Sequence, residues 1–272
     1  MLIYRYQIVP HFAVPFAFEQ HPKPASLNKA LRELFLKREA EGAKYANPNP
    51  YTVRNKDLFE SHFDLFDWPE PIIAELREFC LSNLMRTVAQ LNSCEMAFLK
   101  RINIATDAWF HITRRNGFFG IYNQPMASWS GVYCVASGEH NVDQADSGKL
   151  SFVNPNITGN MYVDAGSAAL QNPFNMGNMG YALSPGQLVL FPSWIPHYVM
   201  PFYGEGERIT VPLIAPFNCV DSARTLLFCG LHSASSQSNR LITVLNMQWP
   251  ILTNVRTSDG SSMAGQRRTP HL

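Results

Sequence analysis

The sequence predicts an α+β chain: a helical N-terminal region followed by a core of short strands that closes as an all-β sandwich or barrel. Three observations carry this. Apolar residues recur at spacings of three and four through the first third of the chain, the signature of amphipathic helices. From about Met96 to Asn218 that period gives way to short β-rich runs separated by Gly, Pro, Asn and Asp, which read as strands and turns. Those runs are joined by turn-rich segments, not by helical ones, so parallel βαβ units are not expected.

Along the chain, Met1 to Phe18 is apolar but carries Arg5, Gln7 and His11 and prolines at 10 and 15; it reads as a strand-like segment of the mature protein and not as a signal peptide. The first helix is expected from an N-cap at Ser26, through Leu27, Leu31, Leu34 and Leu36, to the neighbourhood of Gly42,. Asn47-Pro48-Asn49-Pro50 marks a turn,. A second helix is expected over Glu70–Leu91, with Ile73, Leu76, Phe79, Cys80, Leu84 and Val88 on one face,. The expected strands are Phe98–Ile104, Ala108–Arg114, Ser130–Ala136, Lys149–Val153, Gln187–Phe191 and Arg208–Ile214. Asn154 to Pro185 reads as one long Asn-, Gly- and Met-rich loop,. These textures divide the chain into an N-terminal strand and helices (1–95), a β core (96–218) and a partly flexible C-terminal appendage (219–272), with a polar linker at Ser233–Ser238 and one further strand or hairpin at Leu241–Leu252,.

Composition narrows the function classes. Hydrophobic residues make up 46%, enough for a real core, and charged residues only 16%, against a usual share of about 25%. A net charge of +1 argues against nucleic-acid binding driven by bulk charge. The stretch Leu188–Tyr203 is interrupted by Pro192, Pro196 and Pro201, so no span of the roughly 18 apolar residues that a membrane helix needs is present. Five cysteines without a Cys-x-x-Cys pair fit a reduced, cytoplasmic protein. The thin surface charge admits a homodimer or a purely structural subunit.

Two segments carry candidate chemistry: Tyr122-Asn123-Gln124-Pro125 leading to Trp129-Ser130-Gly131-Val132-Tyr133, and Gly186 to His197 followed by Arg208-Ile209-Thr210. Residues i and i+2 of a strand share a face, so Arg208 and Thr210 set a planar guanidinium beside a hydroxyl, a combination suited to a carboxylate. His197, eleven residues before Arg208, offers a neutral imidazole; read alone, it is equally a satisfied loop histidine. His111 shares a strand face with Trp109 and Thr113, and reads either as a site residue or as a core histidine bonded to a carbonyl. No phosphate-binding glycine loop and no Ser/His/Asp arrangement is present,.

These motifs, with Ser147-Gly148-Lys149-Leu150-Ser151-Phe152 and Asn154-Pro155, resemble the 2-oxoglutarate/Fe(II)-dependent oxygenases of prolyl-hydroxylase-like type over roughly residues 50–218. The resemblance implies a double-stranded β-helix (jelly-roll, cupin-like) core, Fe(II) and 2-oxoglutarate as cofactors, and a small-molecule or peptide substrate that is hydroxylated. Carried over residue by residue, it makes His197 and Gln124 the metal positions, Arg208, Thr210 and Tyr133 the cofactor-binding residues, and Tyr122 and His111 the catalytic candidates. It also shows a departure: the usual His-x-His-Pro is here Tyr122-Asn123-Gln124-Pro125. Tyr122 could hold iron only as a phenolate, from a group with an ordinary pKa of about 10, and Gln124 offers a neutral carbonyl oxygen. His140 and Asp143 are the nearby residues that could replace them. The expectation is therefore an oxygenase-like protein with atypical ligation, or an iron-free descendant that binds a ligand or works without metal.

Overall fold

The computed structural model describes residues 8–93, 102–139, 143–156 and 162–219. Its elements in chain order are β1 (Ala17–Gln20), α1 (Pro24–Ala40), β2 (Leu58–Glu60), α2 (Pro71–Asn92), β3 (Ile102–Ile104), β4 (Asp107–Ala108), β5 (His111–Thr113), β6 (Phe119–Tyr122), β7 (Trp129–Ser137), β8 (Leu150–Phe152), β9 (Met179–Tyr181), β10 (Gln187–Pro192), β11 (His197–Val199), β12 (Arg208–Ala215) and β13 (Phe217–Cys219). The chain divides into two compact units, Met1–Leu231 and His232–Leu272; the second lies outside the described residues.

All pairings between these strands are antiparallel. The larger sheet runs β1-β10-β7-β12-β5-β2, with β4 also on β12, and the smaller runs β6-β11-β8-β9. The two form a double-stranded β-helix. The longest strands, β7, β10 and β12, are buried on both faces, and alternation sorts their side chains. Tyr133, Val135, Leu188, Leu190, Ile209, Val211 and Leu213 meet Leu27, Leu31 and Phe35 of α1 and Ile73, Leu76, Cys80 and Leu84 of α2 in one cluster. Val132, Cys134, Val189 and Phe191 point the other way, to Leu150 and Phe152 of the smaller sheet. Stacking of Phe35 on Phe110, with ring centroids 4.3 Å apart and planes 4° from parallel, fixes α1 against the sheet.

Both helices start at a proline, which suits the first turn because its missing N–H has no intrahelical partner there. The first begins at Pro24 with Lys23 as N-cap and no capping side-chain bond; Ser26, expected as the cap, lies inside the first turn. The second runs Pro71–Asn92, shifted one residue toward the C-terminus from the expected Glu70–Leu91, with Ser93 as its C-cap in the left-handed region. No described helix is long and apolar enough to cross a membrane.

Several expectations are corrected. The strand-like reading of 1–18 holds only at its end, where β1 starts at Ala17; residues 1–7 lie outside the described set. β2, β6, β9 and β11 are short strands that the sequence patterns did not isolate, and β9 falls within the expected loop 154–185, pairing with β8. Only Ile102–Ile104 of the expected strand Phe98–Ile104 is described. The readings for Ser233–Ser238 and Leu241–Leu252 lie outside the described residues.

Tyr133 was expected to bind cofactor. Period-two alternation instead turns it to the helix side, where it is fully buried and its hydroxyl donates to Asn28 Oδ1 of α1 at 2.7 Å. Substituting Tyr133→Phe would strand the buried Asn28 carbonyl. The expected outcome is a loss of about 1–2 kcal/mol in urea unfolding, with no change at residues of the opposite sheet face.

Candidate functional site

The inner face of the larger sheet is apolar at its centre and polar along β5 and β12. Register defines two cross-strand rows. In one, Glu60 of β2 lies opposite His111 of β5, which lies opposite Thr210 of β12, which lies opposite Cys134 of β7. In the next, Leu58, Thr113, Arg208 and Ser137 line up in the same way. Arg208 and Thr210 therefore share a face, as the sequence predicts, and His111 and Thr113 lie on it beside them.

Arg208 is 6% exposed. Burial pulls the guanidinium pKa below its ordinary value, an effect opposed by Cys134 and Tyr122, but a guanidinium stays charged in proteins. Among the described residues it has neither an ion pair nor a hydrogen bond. Gly148 packs over its stem: a Cβ there would come within 3.1 Å of Arg208 Cδ, and its φ of +62° is one that glycine adopts freely,.

His197 opens β11 in the smaller sheet, directly opposite Tyr122 of β6 and Phe152 of β8. Its ring sits 4.2 Å from that of Tyr122, 4.9 Å from Phe191 and 5.7 Å from Phe152. Burial among these rings pushes its pKa down to about 4, against the opposing hydrogen bond to Ile195. The imidazole is therefore neutral at pH 7, with Nδ1–H donating to the Ile195 carbonyl at 2.9 Å and the lone pair left on Nε2. Tyr122 is a phenol and stays one: burial raises its pKa, the negative charge of Glu60 adds to this, and Arg208 opposes it.

Gln124 leaves β6 in the turn toward β7. Its amide N–H donates to the Ser193 carbonyl at 2.9 Å. Its side-chain oxygen accepts from Ser130 Oγ at 2.6 Å, and Ser130 Oγ lies 2.7 Å from Ser193 Oγ. This side chain ties the β6–β7 turn to the end of β10.

The expected role of His111 is redefined by Glu60, which the sequence patterns did not single out. Nε2 of His111 lies 2.9 Å from Glu60 Oε2 and 3.0 Å from the indole nitrogen of Trp109. Glu60 Oε1 accepts from Asn47 Nδ2 at 2.7 Å and is 2.7 Å from Arg54 Nη1. Burial raises the Glu60 carboxyl, but His111, Asn47 and Arg54 together hold it below the usual range. Burial likewise lowers His111, an effect that Glu60 opposes and that the positive charges of Arg208 and Arg54 reinforce. A lone Glu in a turn-rich stretch carries no periodic signal, so only the β2–β5 pairing brings it to His111.

The donor set does not fit Fe(II). Non-haem Fe(II) sites of this type use two imidazoles and a carboxylate on one face. Here one neutral imidazole is joined by a protonated phenol and by an amide oxygen that already accepts from Ser130. Among the described residues no group of three His, Cys, Asp or Glu is placed to hold a metal. His111 and Glu60 bind each other. Of the replacement pair, Asp143 is described but His140 lies outside the described residues.

Residues 107–213 match a family model described as "Putative 2OG-Fe(II) oxygenase". No curated protein matches. Among solved structures, AviO1 from Streptomyces viridochromogenes Tue57 is 14% identical with a TM-score of 0.50, covering 78% of this chain and 91% of its own. A prolyl-4-hydroxylase from Pseudomonas putida is 18% identical with a TM-score of 0.49, covering 75% and 92%. At 14% identity the likeness to AviO1 is one of fold.

The His197 environment has a measurable consequence. Its folded pKa of about 4 lies below the unfolded value of about 6.5, so between these pH values the unfolded chain holds the extra proton. Stability from this group is complete above pH 6.5 and is lost as pH falls toward 4, by about 1.4 kcal/mol per unit. The difference between wild type and His197→Asn, followed by urea unfolding from pH 7 to 4, is expected to show that slope, isolated from the other titrating groups.

Proposed function

We propose, from the match of residues 107–213 to the model of the 2OG-Fe(II) oxygenases, that the chain has kept the anion-holding end of that family's site while giving up the iron-holding end. The protein then acts as a metal-independent binder of a small organic acid, with 2-oxoglutarate as the reference ligand. The observation that carries this reading is Arg208: a buried cation with no partner among the described residues. An uncompensated buried charge costs several kcal/mol, and a carboxylate on the guanidinium fork removes that cost through two parallel charge-assisted hydrogen bonds. Thr210, two residues along on the same face, supplies a hydroxyl. At the opposite sheet, the Tyr122 hydroxyl and neutral His197 offer uncharged polar contacts, enclosed by Phe152 and Phe191, that would orient a bound acid without a metal.

When bound in this family, Fe(II) and 2-oxoglutarate together supply oxidative chemistry. The residues at the metal positions here do not support that step, which is why binding, or chemistry without metal, is favoured over hydroxylation. Retention of His197 at the third metal position is what keeps an oxygenase with atypical ligation as the second reading.

An anaerobic titration with Fe(II) and 2-oxoglutarate, following the visible charge-transfer band of the chelate, separates the two. The expected result is no band, with metal-free calorimetry showing saturable binding of the acid that Arg208→Gln weakens by about 30-fold or more, the scale of losing one partner of a buried charge pair. A saturable band would overturn the metal-free reading in favour of the oxygenase. Absence of binding under either condition would overturn both.

A further inference from the structure

The two ends of the site differ in charge. Arg208, on β12 of the larger sheet, is the cationic end. The other end lies on the smaller sheet, where Tyr122 of β6 stands directly opposite His197 of β11. Tyr122 is only half-buried, and it is near enough to Arg208 for each side chain to act on the pKa of the other. A ligand held on Arg208 and extending across the barrel therefore meets Tyr122 and His197.

Among the described residues this second end holds no positive charge. The rings against His197 are those of Tyr122, Phe152 and Phe191. Burial and the Ile195 carbonyl set its protonation, and no charged side chain acts on it. A carbonyl oxygen only accepts, so Nδ1 carries the proton in the 2.9 Å bond to Ile195. Nε2 then presents a lone pair, without a hydrogen-bond partner among the described residues. Such a lone pair accepts from a hydroxyl or an amide N–H and repels a carboxylate oxygen. At Tyr122 the negative charge of Glu60 acts more strongly than the positive charge of Arg208. A carboxylate seated here would be enclosed by aromatic rings with no counter-ion, a strongly unfavourable state.

We propose that the site selects a singly charged organic acid, with its carboxylate on Arg208 and an uncharged hydroxyl or amide at Tyr122 and His197. The proposal rests on the reading of Arg208 as an anion holder and goes beyond it in assigning the far half of the ligand. Charge decides the first part. A dicarboxylate such as 2-oxoglutarate matches one charge on Arg208 and leaves the other uncompensated; a monocarboxylate leaves none. Hydrogen-bond polarity decides the second. Nε2 of His197 accepts, and the Tyr122 hydroxyl both donates and accepts. A ligand amide or hydroxyl is bonded twice, donating to Nε2 and accepting from the phenol. A keto oxygen leaves Nε2 bare, and an alkyl end gains only the enclosure by Phe152 and Phe191.

The test is calorimetry on the full chain with a chelator present, using glutarate, its monoamide and pentanoate as probes of matched length. Wild type is expected to bind the monoamide about tenfold or more tighter than glutarate, the scale of leaving a buried charge unpaired. It is expected to bind the monoamide about three- to tenfold tighter than pentanoate, the scale of one neutral hydrogen bond. Tyr122→Lys sets a cation at the far end and is expected to reverse the first order, making glutarate the tighter ligand. Should Tyr122→Lys fail to fold, Tyr122→Phe is expected to remove most of the advantage of the monoamide over pentanoate while glutarate stays weakest. Glutarate as tight as its monoamide in wild type, with both weakened by Arg208→Gln, would overturn the single-charge inference and leave the Arg208 reading standing. Pentanoate as tight as the monoamide would overturn the hydrogen-bonding far end. An unchanged order in folded Tyr122→Lys would overturn the placement of that end at Tyr122. No heat with any of these acids, or binding that Arg208→Gln does not change, would overturn the Arg208 reading and this inference with it.

Discussion

Everything in this protein depends on the central strands β7, β10 and β12 being buried on both faces. A strand covered on one side reads as an alternation of apolar and polar residues; one covered on both sides must assign each face its own task. The helix-side face of these strands is uniformly apolar and binds α1 and α2. The inner face is free to carry Arg208 and Thr210 beside Thr113 and His111 because α1 and α2 already supply a large core on the other side. A one-residue register slip would exchange the two faces, placing the guanidinium against Leu27 and Leu31 and Tyr133 in the interior.

The same low-polarity interior sets the charge of every titratable group it holds. His197 is kept neutral, Tyr122 protonated and His111 depressed, each chiefly by burial. Only where opposite charge is brought in does an ion survive with partners, as at Glu60 with Arg54, Asn47 and His111. Arg208 is the exception, a buried cation with no ion pair among the described residues. It marks a site by what it lacks. At the positions that the resemblance assigns to iron the opposite holds: Gln124 is occupied with Ser130, and His197 and Tyr122 face each other.

Much of the fold was legible in the residues. Helical spacing located α1 and α2, and turn residues bracketed the long strands, because these signals are local and repeated. Strands of three or four residues such as β2, β9 and β11 have too few positions to show a period. They form because neighbouring strands supply partners. The Arg208–Thr210 pair was readable since i and i+2 lie on one face of any strand.

The sequence by itself determined the family resemblance, the shared face of Arg208 and Thr210, and the replacement of both imidazoles before Pro125, since each is a matter of residue type at fixed spacing. Only the tertiary structure decided which way each strand turned and what met it across the ladder. It sent Tyr133 to Asn28, brought Glu60 to His111 across 51 residues, and set Thr113 opposite Arg208. Such pairings are fixed by register between strands distant in sequence, and the burial that leaves Arg208 without a partner among the described residues is a property of the closed core and of no local segment.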